Sequence, residues 1–322
     1  MRIRRLGIMI ITVAVILSFF ACKQSKKVDN QAVLPPSYPG HFLDFIELSD
    51  YVVLQNQEIK IFLFKDQKYS TDIAKTLTRA LYWVEDFSGI NNLRKNDNSI
   101  YSAYLAYEDL QAMSPEVRYL NLFNEIANYD DKIVFFANRY DLACAFENSI
   151  TMFDDYFVIE SYDCYEFGAF LHELIHVNHS RYAPNIGYCP PFMEGYASWG
   201  VGRIAQKQGL DALYKINQEH YAIASLPENL EDFFAGAYQK ENDISNNYYY
   251  GYAFCLYLEE IYGEEIFIKI FDASQNMDLS VYYSEDGSQD NWHLVARDFV
   301  EVIKAQCSAS VFNDCVTWYN SR

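Results

Sequence analysis

The stretch FGAFLHELIHVNH, residues 167–179, decides how the rest of the chain is read. Phe167, Phe170, Leu171, Leu174 and Ile175 recur at i, i+3, i+4, i+7 and i+8, the spacing of a helix with one core-facing stripe. Asp163 and Glu166, three residues apart just upstream, form a capping-box pattern and put the helix start there. At about 100° per residue, the sector holding His172, Glu173 and His176 is centred roughly opposite that stripe. Two readings follow. In one, these residues are the solvated side of an amphipathic helix. In the other, the imidazoles at i and i+4 stand about 5–6 Å apart at Cβ and close on one zinc ion, with Glu173 turned toward a water molecule.

A catalytic zinc site keeps one open position and needs a third protein ligand. A histidine after a glycine, as in H-E-x-x-H-x-x-G-x-x-H, is excluded because residue 179 is His and residue 182 is Tyr. The segment CPPFMEGYASWG, residues 189–200, supplies a carboxylate instead. Pro190 and Pro191 suit a helix entry. Glu194 is expected in the first turn, with Gly195 and Ala197 small enough to let this helix approach the 167–179 helix closely.

HELIH and PFMEGYASW, followed by YYYGYAFCLYLEEIYG at residues 248–263, resemble the gluzincin zinc metallopeptidases, in particular their peptidase MA-like domains. The resemblance spans roughly residues 130–322, and residues 41–130 carry no motif of that family. It implies an α+β, zincin-like fold with a small sheet and a helical C-terminal part. It implies His172, His176 and Glu194 as zinc ligands, and Glu173 as the general base that works on a metal-activated water. Tyr248 takes the place of an oxyanion donor, with Tyr249, Tyr250 and Tyr252 as open alternatives. YFVIE, residues 156–160, has the place of the edge strand on which a peptide substrate lies, or of an ordinary central strand. Ser198 departs from the family, whose thermolysin-like members carry an Asp there to orient a ligand histidine. No G-x-M-E-N block is present, so an endopeptidase is the better expectation. His41, His179, His220 and His293 are left to surface or core roles.

The rest of the chain gives context. MRIRR followed by the short apolar run LGIMIITVAVILSFF reads as an export signal rather than a membrane span. Ala21-Cys22 resembles a bacterial lipoprotein processing site, although Phe19 and Phe20 are bulky for it. That implies a signal peptide over residues 1–21, lipidation of Cys22 and a place in the cell envelope. Residues 22–40 read as a flexible tether. Six cysteines follow (Cys144, Cys164, Cys189, Cys255, Cys307 and Cys315), enough for up to three disulfides outside the cytoplasm. Cys307 with Cys315 is the first pair expected, and Cys255 reads as a buried thiol. A net charge of −19 argues against nucleic acid as a partner.

Residues 51–64, YVVLQNQEIKIFLF, read as a hairpin. Ile73, Leu77, Leu81 and Val84 mark a helix that Gly89 stops. A further helix is expected through Tyr119, Leu120, Leu122 and Phe123, and a strand at KIVFFA, residues 132–137. The division expected is an N-terminal α/β part over 41–130 and the zincin-like domain over 131–322. A peptide or protein is the expected substrate. The rival expectation is a non-catalytic surface lipoprotein that keeps the fold and binds peptide or glycan in its groove.

Overall fold

A computed structural model of the protein describes residues 50–93, 132–139, 143–146, 149–236, 244–278 and 292–322. The expected signal peptide with Cys22, the tether, His41 and the helix through Phe123 lie outside these residues. The architecture is mixed α+β, with a small five-stranded sheet and a mostly helical remainder. Two compact units divide the chain, Met1–Asn178 and His179–Arg322. They part within one helix rather than at residues 130/131, and the sheet takes strands from both sides of 130/131.

In the first unit, β1 (Tyr51–Gln55) and β2 (Ile59–Phe64) form the expected antiparallel hairpin, with Tyr51 opposite Phe64 and Gln55 opposite Lys60. Asn56 shapes the turn, its Oδ1 accepting from the amides of Glu58 and Ile59 at 2.9 and 3.0 Å. β3 (Ile133–Asn138) lies parallel to β2, and β5 (Ser149–Phe153) parallel to β3. β4 (Cys144–Phe146) runs antiparallel to β5 and ends the sheet, whose order is β1-β2-β3-β5-β4. β2 and β3 are buried along nearly their whole length, as interior strands should be.

Two helices accompany this sheet. The first, α1 (Ile73–Ser88), ends at Gly89, whose φ of +70° suits a residue without Cβ. The second, α2 (Tyr165–Tyr182), begins one residue after Cys164, whose carbonyl accepts from the Gly168 amide at 3.2 Å. The apolar stripe of α2 is where its spacing put it: Phe167, Phe170, Leu171, Leu174 and Ile175 are fully buried. Phe170 meets Phe135 of β3 at 5.9 Å between ring centroids, and Phe167 meets Trp83 of α1 at 5.7 Å. Near its C-terminal end, Asn178 donates to the Ile90 carbonyl (2.9 Å) and to Asn92 Oδ1 (2.8 Å), and Asn92 donates back to the Asn178 carbonyl (2.8 Å).

YFVIE is neither edge nor central strand. Asp154–Phe157 form a 3-10 turn directly after β5, and Val158–Glu160 have no regular structure. The apolar residues of this stretch are satisfied without a ladder, because Phe157 and Ile159 are buried while the backbone bonds to a loop. The Ser70 amide donates to the Phe157 carbonyl (3.0 Å) and its hydroxyl to the Ile159 carbonyl (2.7 Å). β-propensity here reflects burial rather than strand geometry.

The second unit is built of helices among its described residues: α3 (Pro190–Gln208), α4 (Asp211–Tyr221), α5 (Leu230–Ala235), α6 (Ile244–Tyr262), α7 (Glu265–Ser274), α8 (Trp292–Gln306) and α9 (Val311–Asn320), with no strand. Aromatic rings fill its core, among them Trp199 on Phe267 (4.3 Å) and Phe254 stacked on Phe312 (4.7 Å, 4° between planes). α3 and α6 run parallel, since Gly195 lies at Gly251 while Trp199 Nε1 donates to Glu259 Oε2 at 2.8 Å further along both helices. Their approach is the closest that backbones allow. A Cβ added at Gly195 would stand 2.1 Å from the Gly251 carbonyl carbon, and one added at Gly251 would stand 1.9 Å from the Pro191 oxygen. Gly195 therefore serves the packing of α3 on α6.

This contact sets a sign. Alanine favours a helix over glycine by about 1 kcal/mol, but the overpacking it introduces costs about 1–3 kcal/mol and gains no room from backbone neighbours. Gly251→Ala is expected to lower the urea midpoint. Gly187→Ala, with nothing within 4 Å of its added Cβ, should leave the midpoint nearly unchanged.

Candidate metal centre

α2 carries its polar sector in a buried place. Glu173 and His176 are 7% and 8% exposed, and His172 is partly exposed. The reading of this sector as a solvated helix side is therefore excluded by burial. The i, i+4 relation lays the two imidazoles together, with ring centroids 4.5 Å apart and planes at 84°. Their Nε2 atoms face each other at 2.9 Å.

Glu194 stands on α3, in its second turn rather than the first, because the helix begins at Pro190 and Pro191 occupies its next position. It is 2% exposed. One ligand atom from each of His172, His176 and Glu194 lies within 4.8 Å of the other two, and this is the one such group among the described residues. The donor set fits a borderline divalent cation. Two nitrogens at zinc's usual bond length of about 2.0–2.1 Å in a tetrahedron lie roughly 3.3 Å apart, close to the spacing the two rings already hold. Two ring nitrogens and one carboxylate would leave a fourth position open on a tetrahedral ion, the pattern of reactive rather than purely structural sites.

The tyrosines of α6 separate by their surroundings. Tyr249 lies near His220 and Tyr221 (6.3 and 6.2 Å), and Tyr250 meets Phe233 at 5.0 Å. Tyr252 stacks on Tyr221 at 5.1 Å, and its hydroxyl lies near Gly202, two turns beyond Glu194. Burial holds that phenol well above its ordinary range. Tyr248, 9% exposed, is three residues before Gly251 and so shares the side of α6 that meets α3. Among the four, Tyr248 alone combines that side with the level of the first turns of α3.

Ser198, where a carboxylate was missed, is fully buried on α3. Its Oγ has no hydrogen-bond partner, and its carbonyl accepts from Asn217 Nδ2 at 3.0 Å. His179 is a core residue between the rings of Tyr196 (6.0 Å) and Phe271 (6.4 Å), and His220 is exposed on α4. All six described cysteines are thiols, Cys307 and Cys315 included. Sequence reasoning missed Cys144. Burial, and next the charge of Glu173, push its thiol well up. A strand of three residues is too short to give a periodicity. No helix among the described residues is long and apolar enough to cross a membrane.

Neither a family model, nor a curated protein, nor a solved structure matches the chain.

Titration of the metal-free chain with zinc is expected to give one equivalent bound, and Glu194→Ala or His176→Ala to abolish it. At about a hundred times its dissociation constant, zinc should stabilise the parent by about 2.7 kcal/mol, read as a rise in melting temperature that is absent in both variants.

Proposed function

We propose that the chain is a zinc-dependent peptidase, exported and held at the cell envelope through a lipid on Cys22. The observation that carries the catalytic part is the convergence of His172, His176 and Glu194 around one point, with Glu173 beside them on the same helix. His172, His176 and Glu194 would hold the ion. Zinc, when bound, supplies a Lewis acid that polarises a carbonyl and acidifies water.

The chain's own residues supply the rest. Glu173 takes a proton from the attacking water and returns it to the leaving amine, so one carboxylate serves as base and then as acid. Glu173 is buried, so its carboxylate is largely shielded from bulk water. Tyr248 offers a phenolic O–H to the oxygen on which charge develops, a role that strengthens only as the tetrahedral state forms. β4 ends the sheet, so its outer backbone groups have no ladder partner within it, and Cys144 on that strand feels the charge of Glu173. An extended peptide added along β4 would bring its backbone past the base, with main-chain hydrogen bonds that tolerate many side chains. This replaces YFVIE as the substrate strand. The zincin-like, gluzincin character of the fold and the endopeptidase mode belong to the same proposal and rest on the HELIH, PFMEGYASW and YYYGYAFCLYLEEIYG motifs. The place at the envelope rests on residues 1–22.

A mixed peptide pool incubated with the zinc-loaded chain tests the reaction. Cleavage is expected, and Glu173→Gln should lower it on the order of 10²–10⁴-fold with zinc content unchanged. A Gln variant that cuts as fast as the parent would remove Glu173 from the mechanism. Tyr248→Phe, which keeps the ring and loses one donor, should reduce kcat by roughly 10²–10³-fold with little change in KM.

A further inference from the structure

The turn of α6 that carries Tyr248 also carries Asn247, four residues before Gly251. Residues three and four before a given position share its side of a helix, so Asn247 and Tyr248 both face the line where α6 meets α3. Because α3 and α6 run parallel, this turn lies level with the first turns of α3, the end that holds Glu194. Asn247 is 4% exposed, and its Oδ1 is buried without a hydrogen-bond partner. A carboxamide oxygen left in that state costs about 1–3 kcal/mol, so such atoms are few in native proteins and call for a use.

Two other buried oxygens of this unit lack partners, Ser198 Oγ and Asn217 Oδ1. Those belong to one packing joint, because the Asn217 amide donates to the Ser198 carbonyl and its Oδ1 lies 2.6 Å from where a Gly202 Cβ would stand. Asn247 has no such joint among the described residues.

We infer that Asn247 is a substrate-binding residue whose carboxamide pairs with a backbone amide of the bound peptide, next to Tyr248. The inference rests on the peptidase reading. A carboxamide presents an acceptor and a donor in one plane, which is the complement of a peptide group and of few other ligands. Its terminal torsion is soft, so rotation about it can present either the acceptor or the donor to an arriving peptide group. Pairing of this kind ignores side chains, so it would hold the backbone of many peptides alike.

The test uses the full chain, zinc-loaded, in a Glu173→Gln background where binding is measured apart from turnover. Peptides retained from a mixed pool are resynthesised with single amide-to-ester replacements, each deleting one N–H. Asn247→Leu is expected to weaken peptide binding about tenfold. It should also hold or raise the melting temperature, because it removes an orphaned polar group without leaving a cavity. One ester position should cost about tenfold with Asn247 present and nothing in the Leu variant, since the two changes delete the same bond. Equal binding by the Leu variant, equal ester penalties in both proteins, or no ester position that matters in the Asn247 protein would overturn the inference, and so would failure to retain any peptide. A chain with Glu173 intact that binds peptides with the ester pattern but cleaves none would overturn the hydrolase reading and leave this one standing.

Discussion

Two imidazole nitrogens 2.9 Å apart and a carboxylate within 4.8 Å of both are costly neighbours in a buried place. Glu194 is 2% exposed, and a carboxylate taken from water loses several kcal/mol of solvation unless charge or hydrogen bonds replace it. Each of the three offers lone pairs, a donor set that could hold a divalent cation. The same demand explains α2 as a whole. Its apolar stripe fixes rotation about the helix axis, and with rotation fixed the opposite sector has one place to point. Burial of both sectors is then not a contradiction of amphipathic patterning but its use for positioning.

The close contact of α3 and α6 answers a different requirement within the second unit. A short interhelical distance also fixes which turns of the two helices stand level. Glycine on both sides of the crossing, with the Pro191 carbonyl against Gly251, gives a separation that any Cβ would widen. The Trp199–Glu259 bond and the Arg203 ion pairs with Glu259 and Glu264 lock the far end of the pair. Such a pair resists sliding, and the level of Tyr248 along α3 is thereby fixed.

Legibility followed period and punctuation. The 51–64 hairpin, the helix stopped by Gly89, the β3 strand and the 165–182 helix carried clear spacing and were readable. The helix that carries Glu194 was readable because two prolines announced it, while the turn on which Glu194 falls was not, since helix starts drift by a residue or two. YFVIE failed for a physical reason: its apolar residues are buried by a loop that Ser70 satisfies from 89 residues away along the chain, and no local pattern contains that bond. The partner of Gly195 on α6 was unreadable in the same way, because smallness signals close approach but not to what. Cys144 and Asn247 were invisible, one on a strand too short to alternate and the other hidden in a run of tyrosines.

Preorganisation links these features. An α-helix sets the distance between residues i and i+4 before any ion arrives, so the two histidines are half-assembled by local structure alone. The Asn178–Asn92 exchange and the Asn178 bond to Ile90 then hold the end of that helix to the chain that follows α1, within the same unit. Only the third ligand depends on distant sequence. A site built in this order loses less freedom on binding than one whose ligands all come from loops, and rigid supporting elements are what a reactive metal needs to keep an open position open. Within the second unit, Asn247 lies one turn before the Gly251 crossing, where the backbones of α3 and α6 touch, so slack in the packing is a poor explanation for its unpaired oxygen. A vacancy held against its own cost is better understood as a place kept for something that arrives later.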